Sequence, residues 1–245
     1  INFFTKYNCL LLVIYMDIFN FFHADIIALF ITLKLALTTC LFLAIIGTPI
    51  AYLLAFKANK SKAIIESLVT LPLVLPPTVI GFYLIVFFSP DTSLGKIFIL
   101  LTGNQLIFSF NGLVLASIIY SLPFWIQPLQ SSFEKIGVDT LNTAKSLGAG
   151  PFDTFFNVII PLCKRGFLTS FIISFAHTMG EFGIVLMVGG SIHGKTKVIA
   201  ISIYDHVEQL SFAKAHFLAG GMLIFSFLIL LTLYYSNKSS IVRVK

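Results

Sequence analysis

The stretch AIIESLVTLPLVLPPTVIGFYLIVFFS, residues 63–89, contains one charged side chain, that of Glu66, and three prolines. It is long enough to cross a bilayer, because a membrane-spanning helix needs about 20 mostly apolar residues. Pro72, Pro76 and Pro77 each remove a backbone donor and push against the preceding turn, so they predict a bent or broken helix. Backbone groups freed by such a break cannot face lipid. We therefore expect this segment to line a pathway through the membrane, with a simple packing kink as the alternative.

The composition of the whole chain also indicates a membrane protein. Of the 245 residues, 58% are apolar and only 11% are charged, and the mean hydropathy is +0.98. Soluble domains carry about 25% charged residues, and one core cannot bury so large an apolar excess. This excludes a disordered chain, a small disulfide scaffold and an ordinary cytosolic enzyme.

Five apolar stretches are long enough to span a bilayer. They cover residues 26–56, 63–89, 106–130, 166–188 and 213–235. The sequence therefore predicts an all-α integral membrane protein with about five transmembrane helices, or six if the segment before residue 26 also spans. We expect one transmembrane domain over 26–235, a basic tail over 236–245 and an N-terminal extension over 1–25, in which Met16 is a candidate natural start.

The basic side chains divide unequally between the two sides of the membrane if all five stretches cross it. One side holds Lys57, Lys60, Lys62, Lys135, Lys145, Lys164, Arg165, Lys238, Arg243 and Lys245. The other side holds Lys6, Lys96, Lys195, Lys197 and Lys214. Cytoplasmic loops carry the excess of Lys and Arg, so the C-terminus is predicted to be cytoplasmic. The net charge of +6 then reflects topology rather than nucleic-acid binding.

A carboxylate interrupts the fourth apolar stretch, in the segment Met179-Gly180-Glu181-Phe182-Gly183. Ionisable side chains within a membrane are costly and usually face a bundle interior or water. The glycines on either side of Glu181 allow another backbone to approach closely. Two interpretations stay open from the residues alone: a structural carboxylate bonded to a neighbouring helix, or a gate or substrate contact.

The cytoplasmic segment 131–165 is predicted to contain a helical elbow over residues 139–161. A short helix from Asp139 to Leu147 places Leu141, Ala144 and Leu147 on one face. Gly148 suits the left-handed position that ends a helix, Pro151 starts a second short helix and Pro161 ends it. Such short helices are marginal in water. The elbow therefore needs a partner surface, either its own membrane helices or another subunit.

The elbow resembles the EAA loop of bacterial ABC importer permeases, whose pattern is Glu-Ala-Ala, three residues, Gly, nine residues, Ile-x-Leu-Pro. Asn142-Thr143-Ala144, Gly148 and Val158-Ile159-Ile160-Pro161 keep this spacing, with Asn142 in place of the Glu. In that family the helix sits in a cleft of the ATP-hydrolysing subunit and carries its motion to the membrane. The coupling residues implied by this resemblance are Asn142, Thr143, Ala144, Lys145, Leu147, Gly148 and Pro161.

Two further segments are similar to molybdate permeases within that family. They are the proline run from Leu71 to Gly81 and the segment from Met179 to Gly183 with Ile192-x-Gly194-Lys195-Thr196 after it. Sulfate permeases usually carry Tyr where Phe182 stands. The implied translocation pathway or gate consists of Pro72, Pro76, Pro77, Thr78, Gly180, Glu181, Phe182 and Gly183. Tungstate is not separated from molybdate, because the two oxyanions have nearly the same size and charge.

The resemblance implies an assembly in the bacterial cytoplasmic membrane. Two copies of the chain form the pathway, two ABC ATPase subunits that use ATP-Mg dock on the cytoplasmic side, and an extracytoplasmic molybdate-binding protein delivers the ion. Alternating access then moves the substrate across. The chain has no phosphate-binding loop pattern, so we expect that it is not itself an enzyme and holds no cofactor or metal.

Three other functions remain as alternatives: a sulfate or tungstate ABC permease, an ATP-independent channel or carrier, and a membrane enzyme. The elbow argues against a channel or carrier. The absence of a metal-binding or Ser/His/Asp pattern in the sequence argues against an enzyme. Glu181 facing a divalent anion would repel it. We therefore expect Glu181 to be a structural or gate residue, with the Thr78 hydroxyl and freed backbone donors contacting the anion.

Overall fold

The computed structural model describes the backbone of residues 3–56 and 62–238, and the side chains of residues 24–56 and 62–235. All regular structure in those ranges is helical, which confirms the predicted class. The helices are α1 (Phe3–Phe56), α2 (Lys62–Val74), α3 (Pro77–Phe88), α4 (Ser93–Thr102), α5 (Phe110–Ser146), α6 (Pro151–Leu162, π-helical over Thr154–Ile159), α7 (Lys164–Gly180), α8 (Gly183–Gly189), α9 (Ile199–Glu208) and α10 (Phe212–Lys238).

Five candidate spans follow from the lengths and apolar character of these helices. Three are single helices: Ala24–Phe56 within α1, all of α5, and Phe212–Tyr235 within α10. The other two are bent pairs, α2 with α3 and α6 with α7. Helix α1 continues without a break across the boundary predicted near residue 25. The predicted cytoplasmic charges Lys57, Lys60, Arg243 and Lys245 lie outside the described residues.

The proline run breaks the second span as predicted. Helix α2 contains Pro72 and ends at Val74, and α3 starts at Pro77 after an angle of 111° between the two axes. Pro77 takes the first helical position of α3, where its missing N–H leaves no unpaired donor. The break therefore comes from Pro76 and Pro77, whereas Pro72 is accommodated inside a helix.

The expectation of one continuous helix over 166–188 is wrong. Helix α7 ends at Gly180, Glu181 has an extended backbone (φ −69°, ψ 130°), and α8 starts at Gly183. This second interruption contains no proline. At its other end α7 is bent by 72° from α6. With 17 residues, α7 is about 26 Å long, which is shorter than the bilayer core.

Helix α5 is the centre of the packing, with α1 on one side and α7 on another. Gly47 of α1 allows contact with Trp125, because a Cβ at residue 47 would lie 2.7 Å from the indole ring. Trp125 Nε1 also donates to Thr48 Oγ1 at 3.2 Å. Gly166 of α7 similarly lies against Ser132, where a Cβ would come within 2.4 Å of that side chain. These close approaches bring α1 and α7 directly against α5.

Two short helices, α4 and α9, were not predicted. Helix α4 begins at the Thr92 cap, whose hydroxyl accepts from Gly95 N at 3.1 Å, and ends at Gly103 with φ 71°. Helix α9 is tied to the start of the first span because Asp25 accepts from the Ser202 hydroxyl and lies 3.3 Å from His206 Nε2. Helix α4 packs on α3, and α9 packs on α1 and α10.

Candidate functional site

A cavity of about 440 Å³ lies where the two helix breaks meet. Helices α3, α5, α7 and α8 all contribute to its wall. Its lining residues are Pro77, Tyr120, Ala176, His177, Gly180, Glu181, Phe182 and Gly183. We call it the break cavity. Residues from two helix breaks that are far apart in the sequence thus line one cavity.

Glycine contacts hold the two breaks against each other. A Cβ at Gly183 would lie 2.8 Å from Cβ of Pro77, and a Cβ at Gly81 would lie 2.8 Å from Cβ of Met187. Real side chains do not approach this closely, so only glycine permits the contact of α3 with α8. The proline break therefore fits directly against the start of α8.

Glu181 is the buried carboxylate of this site, with 5% of its surface exposed. Its Oε2 accepts a hydrogen bond from Ser117 Oγ at 3.1 Å. Its Oε1 has no hydrogen-bond partner among the described residues. An ionised carboxylate needs several donors or a cation when it is buried. The site thus holds Glu181 by one bond from α5 and leaves one oxygen unmatched.

A network of polar side chains lies beside Glu181, and its hydrogen bonds determine which nitrogen of His177 carries a proton. Thr178 Oγ1 donates its only proton to the carbonyl oxygen of Ser174 at 2.9 Å. Ser121 Oγ, 3.0 Å from Thr178 Oγ1, must therefore be the donor in that pair. His177 Nδ1, 2.9 Å from Ser121 Oγ, then has to donate to it. The bond pattern places a proton on Nδ1 of His177.

The His177 ring forms part of the wall of the break cavity. It stacks on Phe124 with 3.9 Å between ring centroids and 26° between planes. Tyr120 lies against the same ring at 4.8 Å. These three rings lie together where α5 packs on α7, about one helical turn from Glu181, and we call them the constriction.

The structure brings together some of the predicted pathway residues and separates others. Pro77 and the segment Gly180–Gly183 line one cavity. Pro72 is buried within α2, while Pro76 and Thr78 are exposed on the other side of the break. No group of three or more His, Cys, Asp or Glu side chains lies close enough to hold a metal ion in the described part of the chain.

Sequence reasoning missed the residues that α5 contributes and the histidine of α7. Ser117 and Ser121 are four residues apart in an otherwise apolar span, as are His177 and Glu181. This spacing puts each pair on one helix face. Two polar pairs with the same spacing were the only sign of a polar contact between these spans. The sequence alone does not show that the two pairs face each other.

The cytoplasmic elbow begins at a glycine that was not predicted. Gly137 has φ 73° and ψ 162°, which interrupts α5 and redirects residues 138–146. The predicted stop at Gly148 is confirmed by its φ of 86°. Gly148 N donates to the carbonyl of Lys145 at 2.9 Å and Ala149 N to that of Ala144 at 3.0 Å. These two bonds form a Schellman motif that ends the helix.

The elbow presents one buried and one exposed face. Leu141 and Ala144 are buried as predicted, and Ile159 of α6 is fully buried beside α5. The prediction that Leu147 shares their face is wrong, because it follows the last helical residue and is 84% exposed. Phe152 and Phe156 of α6 are also exposed. Asn142, Thr143 and Lys145 lie on the exposed face, and Pro161 lies just before the end of α6.

Solved structures with the same fold come from an importer. A chain of the crystal structure of a bacterial ABC transporter involved in the import of the acidic polysaccharide alginate superposes with a TM-score of 0.65, covering 90% of this chain and 80% of that chain at 16% identity. The alginate ABC transporter in complex with its alginate pentasaccharide-bound periplasmic protein gives the same TM-score over 97% of this chain and 94% of that chain. At this identity the likeness shows the fold.

Sequence comparisons identify much nearer relatives. The molybdenum transport system permease protein ModB of Azotobacter vinelandii is 52% identical over 214 residues, which cover 87% of this chain and 95% of the relative. ModB of Escherichia coli K12 is 31% identical over 74% of this chain and 79% of the relative. A probable sulfate transport system permease protein cysT of Prototheca wickerhamii is 32% identical over 81% of this chain and 78% of the relative.

The profile of the family described as "Binding-protein-dependent transport system inner membrane component" matches residues 47–239. That range contains both helix breaks, the break cavity and the complete elbow. The chain therefore belongs to the family of inner membrane components of binding-protein-dependent transport systems.

Proposed function

We propose that this chain is the membrane subunit of an ATP-driven molybdate importer. Two copies form the pathway, two ABC ATPase subunits dock on the cytoplasmic elbows, and an extracytoplasmic binding protein delivers the oxyanion. The C-terminus lies in the cytoplasm. ATP-Mg is used by the partner ATPase, and this chain supplies the pathway and the mechanical connection to it.

The observation that carries the substrate is the 52% identity to the molybdenum permease of Azotobacter vinelandii over 95% of that relative. The sulfate relative reaches 32%. Sulfate is therefore the second candidate, since both are tetrahedral dianions. Tungstate, with nearly the same size and charge as molybdate, is expected to compete for the same route.

The break cavity is proposed as the gate region of this pathway. Its walls include the end of α7 and the starts of α3 and α8, and irregular backbone at membrane depth is tolerated where it lines a cavity. Glu181 accepts from Ser117 of α5, so its carboxylate joins α5 to the break between α7 and α8. This supports a gate or structural role for Glu181, and repulsion of a dianion argues against a substrate-binding role.

Coupling to ATP hydrolysis is assigned to the elbow. Its exposed apolar side chains, Leu147, Phe152 and Phe156, are 84%, 81% and 58% exposed, which is costly unless another surface covers them. Its opposite face packs on the membrane helices through Leu141 and Ile159. A movement imposed on the exposed face would therefore reach α5 through Gly137 and α7 through the bend after Leu162.

Uptake in cells that lack this gene tests the proposal. We expect loss of high-affinity molybdate uptake, recovery at high external molybdate through other routes, and unchanged sulfate uptake. Excess tungstate should inhibit molybdate uptake by the intact system. Loss of sulfate uptake with normal molybdate uptake would instead assign the chain to sulfate transport. Selectivity among the oxyanions should reside mainly in the binding protein.

A further inference from the structure

A second cavity, of about 700 Å³, lies at the cytoplasmic end of the groove between α5 and α7. It is separate from the break cavity and shares no lining residue with it. Its polar and charged lining consists of Ser131, Ser132, Lys135 and Thr140 from α5, and Arg165 and Thr169 from α7. We call it the mouth cavity.

The mouth cavity is chemically suited to an anion. Lys135 and Arg165 contribute two cations, and none of its lining residues among those described is acidic. The neighbouring Glu134 is directed to α2, where its Oε1 lies 3.4 Å from Lys62 Nζ. Helix α7 begins at this cavity without a side-chain cap, and the N-terminal end of a helix attracts negative charge.

The mouth cavity and the break cavity lie on the same faces of the same two helices. On α5, Tyr120, Phe124 and Pro128 recur every four residues and lead to Ser131 and Lys135. On α7, Arg165 and Thr169 line the mouth cavity, and His177 and Gly180 line the break cavity. Consecutive members of this set are three, four or eight residues apart. Such spacing follows one helix face. Phe124, which stacks on His177, lies along α5 between Tyr120 of the break cavity and Pro128 of the mouth cavity.

We propose that the mouth cavity is a transient binding site for a tetrahedral oxyanion on the cytoplasmic side of the constriction. This rests on the proposed function, in which the groove carries such an anion. Lys135, Arg165 and the hydroxyls of Ser131 and Thr169 are the donors, whereas the Thr140 hydroxyl donates its proton to the carbonyl of Ile136. The cations draw the anion away from the carboxylate of Glu181 once the constriction opens. Affinity has to be low, since a transported ion must also leave.

The phosphate group of an anionic lipid offers the same chemistry as a free oxyanion, so the test separates these sources. The permease–ATPase complex, free of nucleotide, is placed in nanodiscs with only phosphatidylcholine or with added phosphatidylglycerol. Ser131→Cys introduces a thiol in the mouth cavity, where Ser131 is exposed. The measurement is the rate of its reaction with an anionic and with a cationic thiosulfonate reagent. The native thiols of Cys40 and Cys163 are buried, and the unsubstituted chain gives the background.

The anionic reagent should react faster than the cationic one. The pair Lys135→Gln with Arg165→Gln should lower the ratio of the two rates at least about tenfold, because charge-assisted bonds contribute that much or more. Lys135→Arg with Arg165→Lys should preserve the ratio. Lys164→Gln is the matched control, since it removes a neighbouring charge that does not line the cavity. Molybdate, sulfate or phosphate should slow the anionic reagent in phosphatidylcholine nanodiscs.

Three results would overturn the proposal or part of it. A rate ratio unaffected by neutralising both cations, in a complex that still retains its ATPase, would show that the cavity does not attract anions. Protection by phosphatidylglycerol but by none of the three oxyanions would assign the site to lipid and refute the transit role. Absence of any protection would refute the site itself. A cell that keeps molybdate uptake without this gene would refute the proposed function while leaving protection by an oxyanion intact.

Discussion

At the scale of single residues, Glu181 joins the parts of the gate region. It lies in the gap between α7 and α8, it is buried, and its one hydrogen bond comes from Ser117 of α5. A carboxylate in this position connects three helices without offering a dianion a favourable contact. Its hydrogen-bonding capacity, rather than its charge, is therefore expected to be what the protein needs.

Replacing Glu181 separates these two contributions. Glu181→Gln keeps the shape and an acceptor for Ser117, so we expect only a modest fall in molybdate uptake. Glu181→Leu leaves the buried Ser117 hydroxyl without its partner, which costs about 1–3 kcal/mol, and uptake should fall much further. The measurement is the initial uptake rate at equal amounts of protein in the membrane. Complete loss in both variants would show that the negative charge itself is required.

Gly183 offers a test of how the two breaks are held together. Gly183→Ala places a Cβ 2.8 Å from Cβ of Pro77, and the rigid proline ring cannot move aside without shifting α3. We expect a loss of about 1–3 kcal/mol of stability, seen as a lower melting temperature in detergent. Gly180→Ala is the matched control, since a Cβ there meets no atom within 4 Å. Equal melting temperatures for both variants would mean that α8 does not depend on this contact.

At the scale of the helices, the positions where α5 bends and stops and where α6 starts determine the shape of the elbow. Helix α5 changes direction at Gly137, stops at Gly148, and is followed by α6 after Pro151. This sequence of turns produces an elbow whose inner face is buried and whose outer face is apolar and exposed. Coupling depends on the direction of that outer face, so a residue that sets the direction should affect transport without affecting membrane insertion.

Gly148→Val tests this dependence. A Cβ at residue 148 would contact nothing within 4 Å, so the only penalty comes from the backbone, at φ 86°. A left-handed valine costs about 1–2 kcal/mol, and the elbow should end differently. We expect co-purification of the ATPase and molybdate uptake to fall together at normal levels of membrane-inserted permease. Gly150→Val, at φ −72° and also without contacts, should behave like the unsubstituted chain. Normal uptake by Gly148→Val would contradict the coupling role.

The helix breaks that local chemistry dictates were predictable. Pro76 and Pro77 prevent a continuous helix whatever surrounds them. In the elbow, Gly148 followed by Pro151 likewise predicts that one helix ends and another begins. The break at Glu181 was not predictable, because no residue there forbids a helix. Just after this break, Gly183 contacts Pro77, and the two residues are 106 positions apart in the sequence.

The site was predictable only in part for the same reason. The prolines and the segment around Glu181 stand out as exceptions within apolar stretches, and the structure places Pro77 and Glu181 in one cavity. Ser117, Ser121 and His177 are ordinary residues in the sequence, and they gain significance only when α5 and α7 pack together. Gly137 was missed because the residues on both sides of it continue a helical pattern.

At the scale of the whole molecule, the account depends on which side of the membrane each loop occupies. The elbow must face the ATPase in the cytoplasm, and α4 and α9 must face the binding protein outside. The side chains of Phe212–Tyr235 in α10 are almost entirely exposed in a single chain. Lipid or another subunit must therefore cover this helix, and its orientation follows from the same topology.

Reporter fusions determine that topology. Fusions after Asn59, Gly150 and Ser240 should show cytoplasmic activity, and fusions after Thr92 and Gly194 should show external activity, because the excess of Lys and Arg lies on the first of these sides. The reading at Gly150 matters most. An external signal there would place the elbow out of reach of any cytoplasmic ATPase.

The central claim is that this chain moves molybdate by coupling to ATP hydrolysis, and transport in a purified system measures this directly. The permease and its ATPase are reconstituted in liposomes, with the ATPase facing outward, ATP-Mg outside, and molybdate-loaded binding protein in the lumen. The account predicts release of radioactive molybdate from the lumen against its gradient, only with hydrolysable ATP, and reduced release with the Gly148→Val permease. Equal movement without ATP, stopping when the concentrations match, would contradict the account and identify a channel or carrier.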